Sequence, residues 1–264
     1  MRITVFTGNQ PRHIALIESL ACVADRVYAV QECTTVFPGE VPDFFRRSEV
    51  MQDYFRRVMA AEGTVFGRPR FAPDNVTQLA IKMGDLNRLE LDVLAPVLQS
   101  DIYVVFGASW IKGALCDHLL AHRAYNIHMG VSPYYRGSST NFWALYDERP
   151  EYVGATIHLL SAGLDSGPIL FHALPKAEAV DPFLLGMKAV KIAHMGLMNA
   201  IGEGVLAIME PLVQDTTRQI RYTRNRDFTD DVAREYLDRC PTPDAIQAAL
   251  EARDMTQFLR PYVG

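Results

Sequence analysis

The chain has 264 residues and a formal net charge of −5, with 49% hydrophobic and 22% charged residues. Such a composition fits a globular protein and is too apolar for a disordered one. The mild acidity argues against a dedicated nucleic-acid binder, which needs a basic face.

Cys22, Cys33, Cys116 and Cys240 lie far apart with no CxxC pair. Neither a zinc knuckle nor a dithiol redox motif is expected, and no metal site; reduced thiols in a cytoplasmic protein are. The apolar run at residues 1–6 is too short for a signal peptide. No stretch approaches the ~18 apolar residues of a membrane span, so no membrane partner is expected.

Residues 3–6 form a β-type run ending in the turn Thr7-Gly8-Asn9, and Pro11 suits the first turn of a helix. Ile14, Ile17, Leu20 and Ala21 recur at helical spacing, and residues 27–30 form a second strand-like run. Strand, helix, strand implies a βαβ unit with parallel strands. The next seventy residues read as helices and loops. Within them Val50, Met51, Tyr54, Phe55, Val58 and Met59 make an apolar helical stripe, with Arg46, Arg47, Arg56 and Arg57 elsewhere on the segment. Residues 101–106 (DIYVVF) are the strongest strand. A helix over about 111–121 leads to another strand at 125–128. Residues 154–160 and 168–171 pair as a hairpin around a turn at 161–167, and a long helix runs over about 182–209 until Pro211 ends it. The fold class is α/β: a Rossmann-like, mostly parallel twisted sheet with flanking helices. A catalytic domain is expected over 1–210, and a small C-terminal subdomain over 211–264, where Arg218, Arg221, Arg224 and Arg226 cluster.

Side chains two apart in a strand share a side, so Asn126 and His128 project together near the carboxyl end of a parallel strand. Asp165 sits on a glycine-flanked loop that can fold back over the same edge. These three suit acyl transfer to an amine. His128 can accept a proton near neutral pH, and Asn126 can donate to the oxyanion on the attacked carbonyl. The carboxylate of Asp165 favours the charged imidazolium. Taken singly, each has an ordinary alternative as scaffold or turn former.

Asn126-Ile127-His128, Pro133-Tyr134-Tyr135-Arg136-Gly137, Gly154-Ala155-Thr156-Ile157-His158 and Asp165-Ser166-Gly167 follow one another in order. In this the chain resembles the formyltransferases that use 10-formyltetrahydrofolate. They include glycinamide ribonucleotide formyltransferase, methionyl-tRNA formyltransferase and the sugar N-formyltransferases of surface-polysaccharide pathways such as lipopolysaccharide biosynthesis. The likeness spans roughly residues 1–210 and is strongest over 100–172. It implies 10-formyltetrahydrofolate as co-substrate and Asn126, His128 and Asp165 as the catalytic set. The pterin end of the folate would lie along Phe106, Gly107, Ala108, Ser109, Trp110 and Ile111, with Ser161, Ala162, Gly163 and Leu164 closing over it. His158 would support the set from behind. One departure is present: the family commonly continues N-x-H with Pro-Ser, and this chain has Met129-Gly130.

For the acceptor, the first βα turn supplies Gly8, Asn9, Gln10 and Arg12, a helix N-terminus able to receive a phosphate or simply a helix start. It has no GxGxxG, which disfavours a nicotinamide dehydrogenase. Tyr134, Tyr135 and Arg136, with Asn141, Phe142 and Trp143, follow the catalytic strand and are candidates to line the acceptor site. The transfer-RNA branch usually carries a basic C-terminal domain, whereas residues 215–264 hold 8 Lys+Arg against 9 Asp+Glu. The arginine cluster is open to a diphosphate, a partner subunit or solvent. By elimination the expected acceptor is a small-molecule amine, an amino sugar linked to a nucleotide, with a homodimer left open. Hydrolysis of the same folate and a non-catalytic folate-binding module are the alternatives.

Overall fold

The structure, a computed structural model, describes residues 1–33, 47–68 and 70–264. In chain order the elements are β1 (Arg2–Gly8), α1 (Pro11–Ala21), β2 (Arg26–Cys33), α2 (Glu49–Phe66), β3 (Val76–Lys82), α3 (Leu91–Leu94), β4 (Ile102–Phe106), α4 (Gly113–Ala121), β5 (Tyr125–His128) and β6 (Tyr135–Gly137). There follow α5 (Thr140–Tyr146), β7 (Ala155–Leu159), β8 (Ile169–Leu174), α6 (Pro182–Gly202), β9 (Arg221–Thr223), α7 (Asp230–Arg239), α8 (Pro243–Glu251) and β10 (Tyr262–Val263).

Eight strands form one sheet in the order β10-β8-β7-β5-β4-β1-β2-β3, and β6 pairs with β9 separately. The half from β3 to β5 is parallel, whereas β7 runs antiparallel to both β5 and β8. The order reverses between β1 and β4, and a doubly wound sheet opens its ligand crevice beyond the carboxyl ends of such neighbours. Strands β1 and β4 are buried on both faces, which is why β4 reads as an unbroken apolar run and β1 is interrupted only by Thr4 between Ile3 and Phe6. Ile3, Val5, Val104 and Phe106 join Leu16, Ile17 and Leu197 on one face; Phe6, Tyr103 and Val105 join Leu115 and Leu119 on the other. Each such fully buried Leu or Ile stabilises the fold by ~1.5–3 kcal/mol.

The expected strands at 3–6, 27–30, 101–106 and 125–128 are present, as are the hairpin and the apolar helix α2. Ser48 starts α2 by accepting the Met51 N–H at 3.3 Å. Arg47 precedes the helix, and Arg46 lies outside the described residues. Two expectations need correction. The tract read as helices and loops contains β3, which pairs with β2 from Val27 to Cys33. The long helix begins as expected, with Asp181 accepting from Phe183 at 2.8 Å and Pro182 following, but it stops at Gly202, well short of Pro211. Gly204 takes φ +69° there, and the Val205 N–H turns back to the Ala200 carbonyl, a glycine stop that acts before the proline is reached.

Residues 211–264 are laced into the rest. β10 is the sheet's outermost strand beside β8, and Tyr236, Ile246, Leu250 and Phe258 share one core with Tyr134, Trp143 and Leu185. The boundary expected at 210/211 is no gap in that core.

Candidate active site

In β5 the alternation is complete: Tyr125 and Ile127 pack into the core, while Asn126 and His128 line a cavity of about 270 Å³ at the carboxyl ends of β4 and β5. Asp165 reaches the same cavity from the β7–β8 loop. That loop lies so flat on β7 that a Cβ at Gly167 would overlap the Leu159 carbonyl oxygen. Asp165 itself sits at φ +46°, a region its short polar side chain tolerates. Gln214 pins the loop, donating to the carbonyls of Asp165 (2.9 Å) and Gly167 (2.8 Å). Nothing in the sequence near Gln214 pointed to this role.

His128 Nδ1 faces Asp165 Oδ2 at 3.3 Å. A carboxylate accepts there, so Nδ1 carries the proton and Nε2 keeps its lone pair. Nε2 is buried and has no hydrogen-bond partner among the described residues. Burial would raise the Asp165 pKa, but the charge and hydrogen bond of His128, helped by His158 and Arg136, hold it below the usual carboxylate range.

His158 fixes the third group. Its Nδ1 lies 2.7 Å from the Leu159 carbonyl, which can only accept, so Nδ1 is the donor. Nε2 therefore accepts from Asn126 Nδ2 at 2.9 Å. Burial pushes the His158 pKa down to about 4, keeping the ring neutral. The second N–H of Asn126 leans toward Asp165 Oδ1 at 3.4 Å. Both neighbours accept, so the amide cannot be turned round. Its long second bond is the one a developing oxyanion can capture. The expected supporting role of His158 has this geometry.

Phe106, Gly107, Ala108, Ser109, Trp110 and Ile111 line one wall of the cavity, and Ser161, Gly163 and Leu164 the other. Ala162 contributes its carbonyl instead, which accepts from Trp110 Nε1 at 3.2 Å and joins the two walls. Trp110 is 50% exposed and is no core residue. Glu32, fully buried at the end of β2, was missed. Its Oε2 takes the Ser109 N–H at 2.6 Å and its Oε1 the Gly84 and Leu86 N–H groups at 2.8 and 3.4 Å, holding the first wall in place.

On the acceptor side the structure departs from expectation. Tyr134 and Tyr135 are 4% and 1% exposed; their hydroxyls donate to the Gln257 carbonyl (2.9 Å) and Asp147 (3.1 Å), and neither lines a cavity beside His128. Trp143 is also core. Arg136 bonds Gln219 at 3.4 Å and contributes to the field on Asp165. At the first βα turn, Gly8 packs on the His13 ring and Asn9 follows in the loop. The Arg12 guanidinium and its backbone N–H both reach Glu62 Oε1, at 2.8 and 3.1 Å, and Gln10 also accepts from Arg12. The place expected for a phosphate thus holds a protein carboxylate. In the arginine cluster, Arg221 pairs with Asp147 at 2.9 Å and Arg218 lies over the Tyr134 ring at 4.8 Å, tying the tail to the body.

The Met129-Gly130 departure also has a cause. Gly130 has φ +152°, and a Cβ there would overlap the Thr140 hydroxyl, which donates to the Met129 carbonyl, and lie 3.1 Å from His128 Nε2. Among the described residues, no group of three His, Cys, Asp or Glu is placed to hold a metal ion, and no helix is long and apolar enough to cross a membrane.

Residues 90–183 match the sequence profile of a family described as formyl transferase. The methionyl-tRNA formyltransferase of Thermotoga neapolitana is 33% identical over 103 residues, which cover 39% of this chain and 32% of that protein. The chain spans between about a fifth and a half of the curated relatives it matches. Two solved structures share the architecture at low identity. The formyltransferase PseJ from Anoxybacillus kamchatkensis, in complex with UDP-4,6-dideoxy-4-formamido-L-AltNAc and tetrahydrofolate, has TM-score 0.50 at 14% identity, over 95% of this chain and 100% of that one. Glycinamide ribonucleotide transformylase 1 from Symbiobacterium toebii has TM-score 0.52 at 20% identity, over 81% and 93%. These relatives are named for three different acceptors, so the likeness does not choose among them. The chain carries formyl transferase family sequence over residues 90–183, on the formyltransferase fold.

Proposed function

We propose that the protein transfers a formyl group from 10-formyltetrahydrofolate to a primary amine of a small molecule. The observation that carries this is the buried, unpartnered His128 Nε2 beside a cavity that His128 lines together with Asn126 and Asp165. The cavity suits a folate: backbone-rich walls at 106–111 and 161–164, an indole edge at Trp110, and a mouth at the sheet's carboxyl end. As the amine nitrogen bonds to the formyl carbon, His128 Nε2 takes the proton that nitrogen sheds. Asn126 donates to the oxygen that gains the charge, and Asp165 steadies the imidazolium. When the bond from carbon to N10 breaks, His128 returns its proton to N10, releasing tetrahydrofolate and the formamide.

Hydrolysis of the same folate would need the first cavity alone. A second cavity, lined in part by the same Met129 and Ser139, favours an amine acceptor. The expectation of a nucleotide-linked amino sugar has a precedent in PseJ, named with such a ligand, and no further support in the residues of this cavity. The test is His128→Ala, which lowers turnover by ~10²–10⁴ while folate binding and the fold persist. Turnover near that of the unaltered protein would overturn the assignment.

A further inference from the structure

The second cavity, about 330 Å³, meets the first at Met129 and Ser139. Its walls come from elements that take no part in the folate cavity: Tyr54 and Phe55 of α2, Phe142 of α5, Phe183 of α6, and Phe228 and Tyr236 from the tail. The rings hold one another, Phe142 edge-on to Phe228 at 4.7 Å and Tyr54 at 4.9 Å from Phe228. Arg12 is the one charged side chain among the described lining residues, and the buried Glu62 already neutralises it. Glu62 also takes the Arg12 backbone N–H, so the first turn of α1 offers an incoming anion less than its position suggests.

Among the described lining residues a phosphate placed here would meet aromatic rings and one arginine already paired with Glu62, surroundings that hold an anion poorly. An amine on an apolar body meets the opposite situation. The rings bury its carbon skeleton, and Met129 and Ser139, shared by the two cavities, let its nitrogen reach toward His128. We propose that the acceptor is a primary amine carried on an uncharged aromatic or branched aliphatic body, without a phosphate. This rests on the formyl-transfer reading above and narrows its acceptor away from nucleotide-linked sugars.

The experiment gives the intact protein 10-formyltetrahydrofolate together with 2-phenylethylamine, 3-methylbutylamine, a UDP-linked 4-amino sugar or glycinamide ribonucleotide. Products heavier by one formyl unit are followed by mass spectrometry. The expected result is kcat/KM for an apolar amine at least ~10-fold above either phosphorylated acceptor, a gap within reach of a few methylene contacts. Phe55→Ala and Val58→Asp, both on the α2 wall, should raise KM for that amine ~10-fold or more with folate affinity and melting temperature kept. Preference for the UDP-sugar or the ribonucleotide would overturn the proposal and leave formyl transfer standing, as would an unchanged KM in both variants. Formylation of none of the four, with folate still bound, would overturn formyl transfer to amines itself.

Discussion

Replacing His158 by Phe keeps a ring of similar width and removes two hydrogen bonds, those to the Leu159 carbonyl and from Asn126 Nδ2. The Asn126 amide then retains only its 3.4 Å contact with Asp165. A buried N–H left without its acceptor costs ~1–3 kcal/mol, and an amide free to rotate no longer meets the oxyanion in the right attitude. If that cost falls on the transition state, kcat drops ~5–150-fold, at 1.36 kcal/mol per tenfold. At most it reaches the lower end of the ~10²–10³ for deleting an oxyanion donor, because Asn126 is still present. The folate KM should hold, since the walls at 106–111 and 161–164 are untouched. His158→Gln, whose amide oxygen can accept from Asn126, should recover part of kcat. Steady-state kinetics of the two variants, with thermal melts as the folding control, decide the matter. A kcat within twofold of the unaltered protein in His158→Phe would refute the reasoning. So would a loss confined to KM.

Glu32→Gln turns one carboxylate oxygen into a donor facing N–H groups; the lost charge-assisted bonds and the stranded N–H together cost ~2–4 kcal/mol. Folate Kd, read by quenching of tryptophan emission, should rise ~10-fold or more, and an unchanged Kd would detach Glu32 from the folate wall. Burial holds the pKa of His158 and His172 at about 4 and of His194 at about 3, against 6.5. A lowered folded-state pKa means that the unfolded chain takes up protons first. The stability these residues permit is complete above pH 6.5 and falls as pH drops toward 4, by about 3 kcal/mol each for His158 and His172. Denaturant melts at pH 7 and pH 5 should show about 2 kcal/mol of that loss for each, and His194→Leu should make it shallower; identical slopes would exclude His194 as a contributor. Gly130→Ala forces a Cβ onto the Thr140 hydroxyl at a positive φ, for ~1–3 kcal/mol of strain beside His128 Nε2. Turnover and melting temperature should both fall, and turnover should partly return in Gly130→Ala combined with Thr140→Gly, which removes both the hydroxyl and the Cβ that the new methyl meets, whereas a double variant no better than the single one would place the strain elsewhere.

Strand β5 was legible because its rule is local. Alternation in four residues sends Tyr125 and Ile127 inward and Asn126 and His128 to the cavity, and nothing distant can reverse that without moving the strand. β3 was not legible because it is an edge: Thr77, Gln78 and Ala80 are exposed, so no apolar run marks it, and its pairing with β2 makes it a strand. The end of α6 was misplaced for a simpler reason. Pro211 is the louder signal, but Gly202 and Gly204 stand nearer and already release the backbone.

The acceptor side misled for a physical reason of the same kind. Tyr134 and Tyr135 carry hydroxyls, and a hydroxyl near a catalytic strand suggests a ligand. Their partners are Gln257, from the far end of the chain, and Asp147, so both rings are free to be core. The βα turn suggests a phosphate because a helix start with an arginine attracts one. What the turn cannot reveal is that α2 delivers Glu62, fifty residues on, to the same N–H and the same guanidinium. A carboxylate already held there makes the nearest strong anion site part of the scaffold. In the proposed reading, recognition of the acceptor passes to the rings of α2, α5, α6 and the tail, which lie outside the motifs around Asn126, His128 and Asp165.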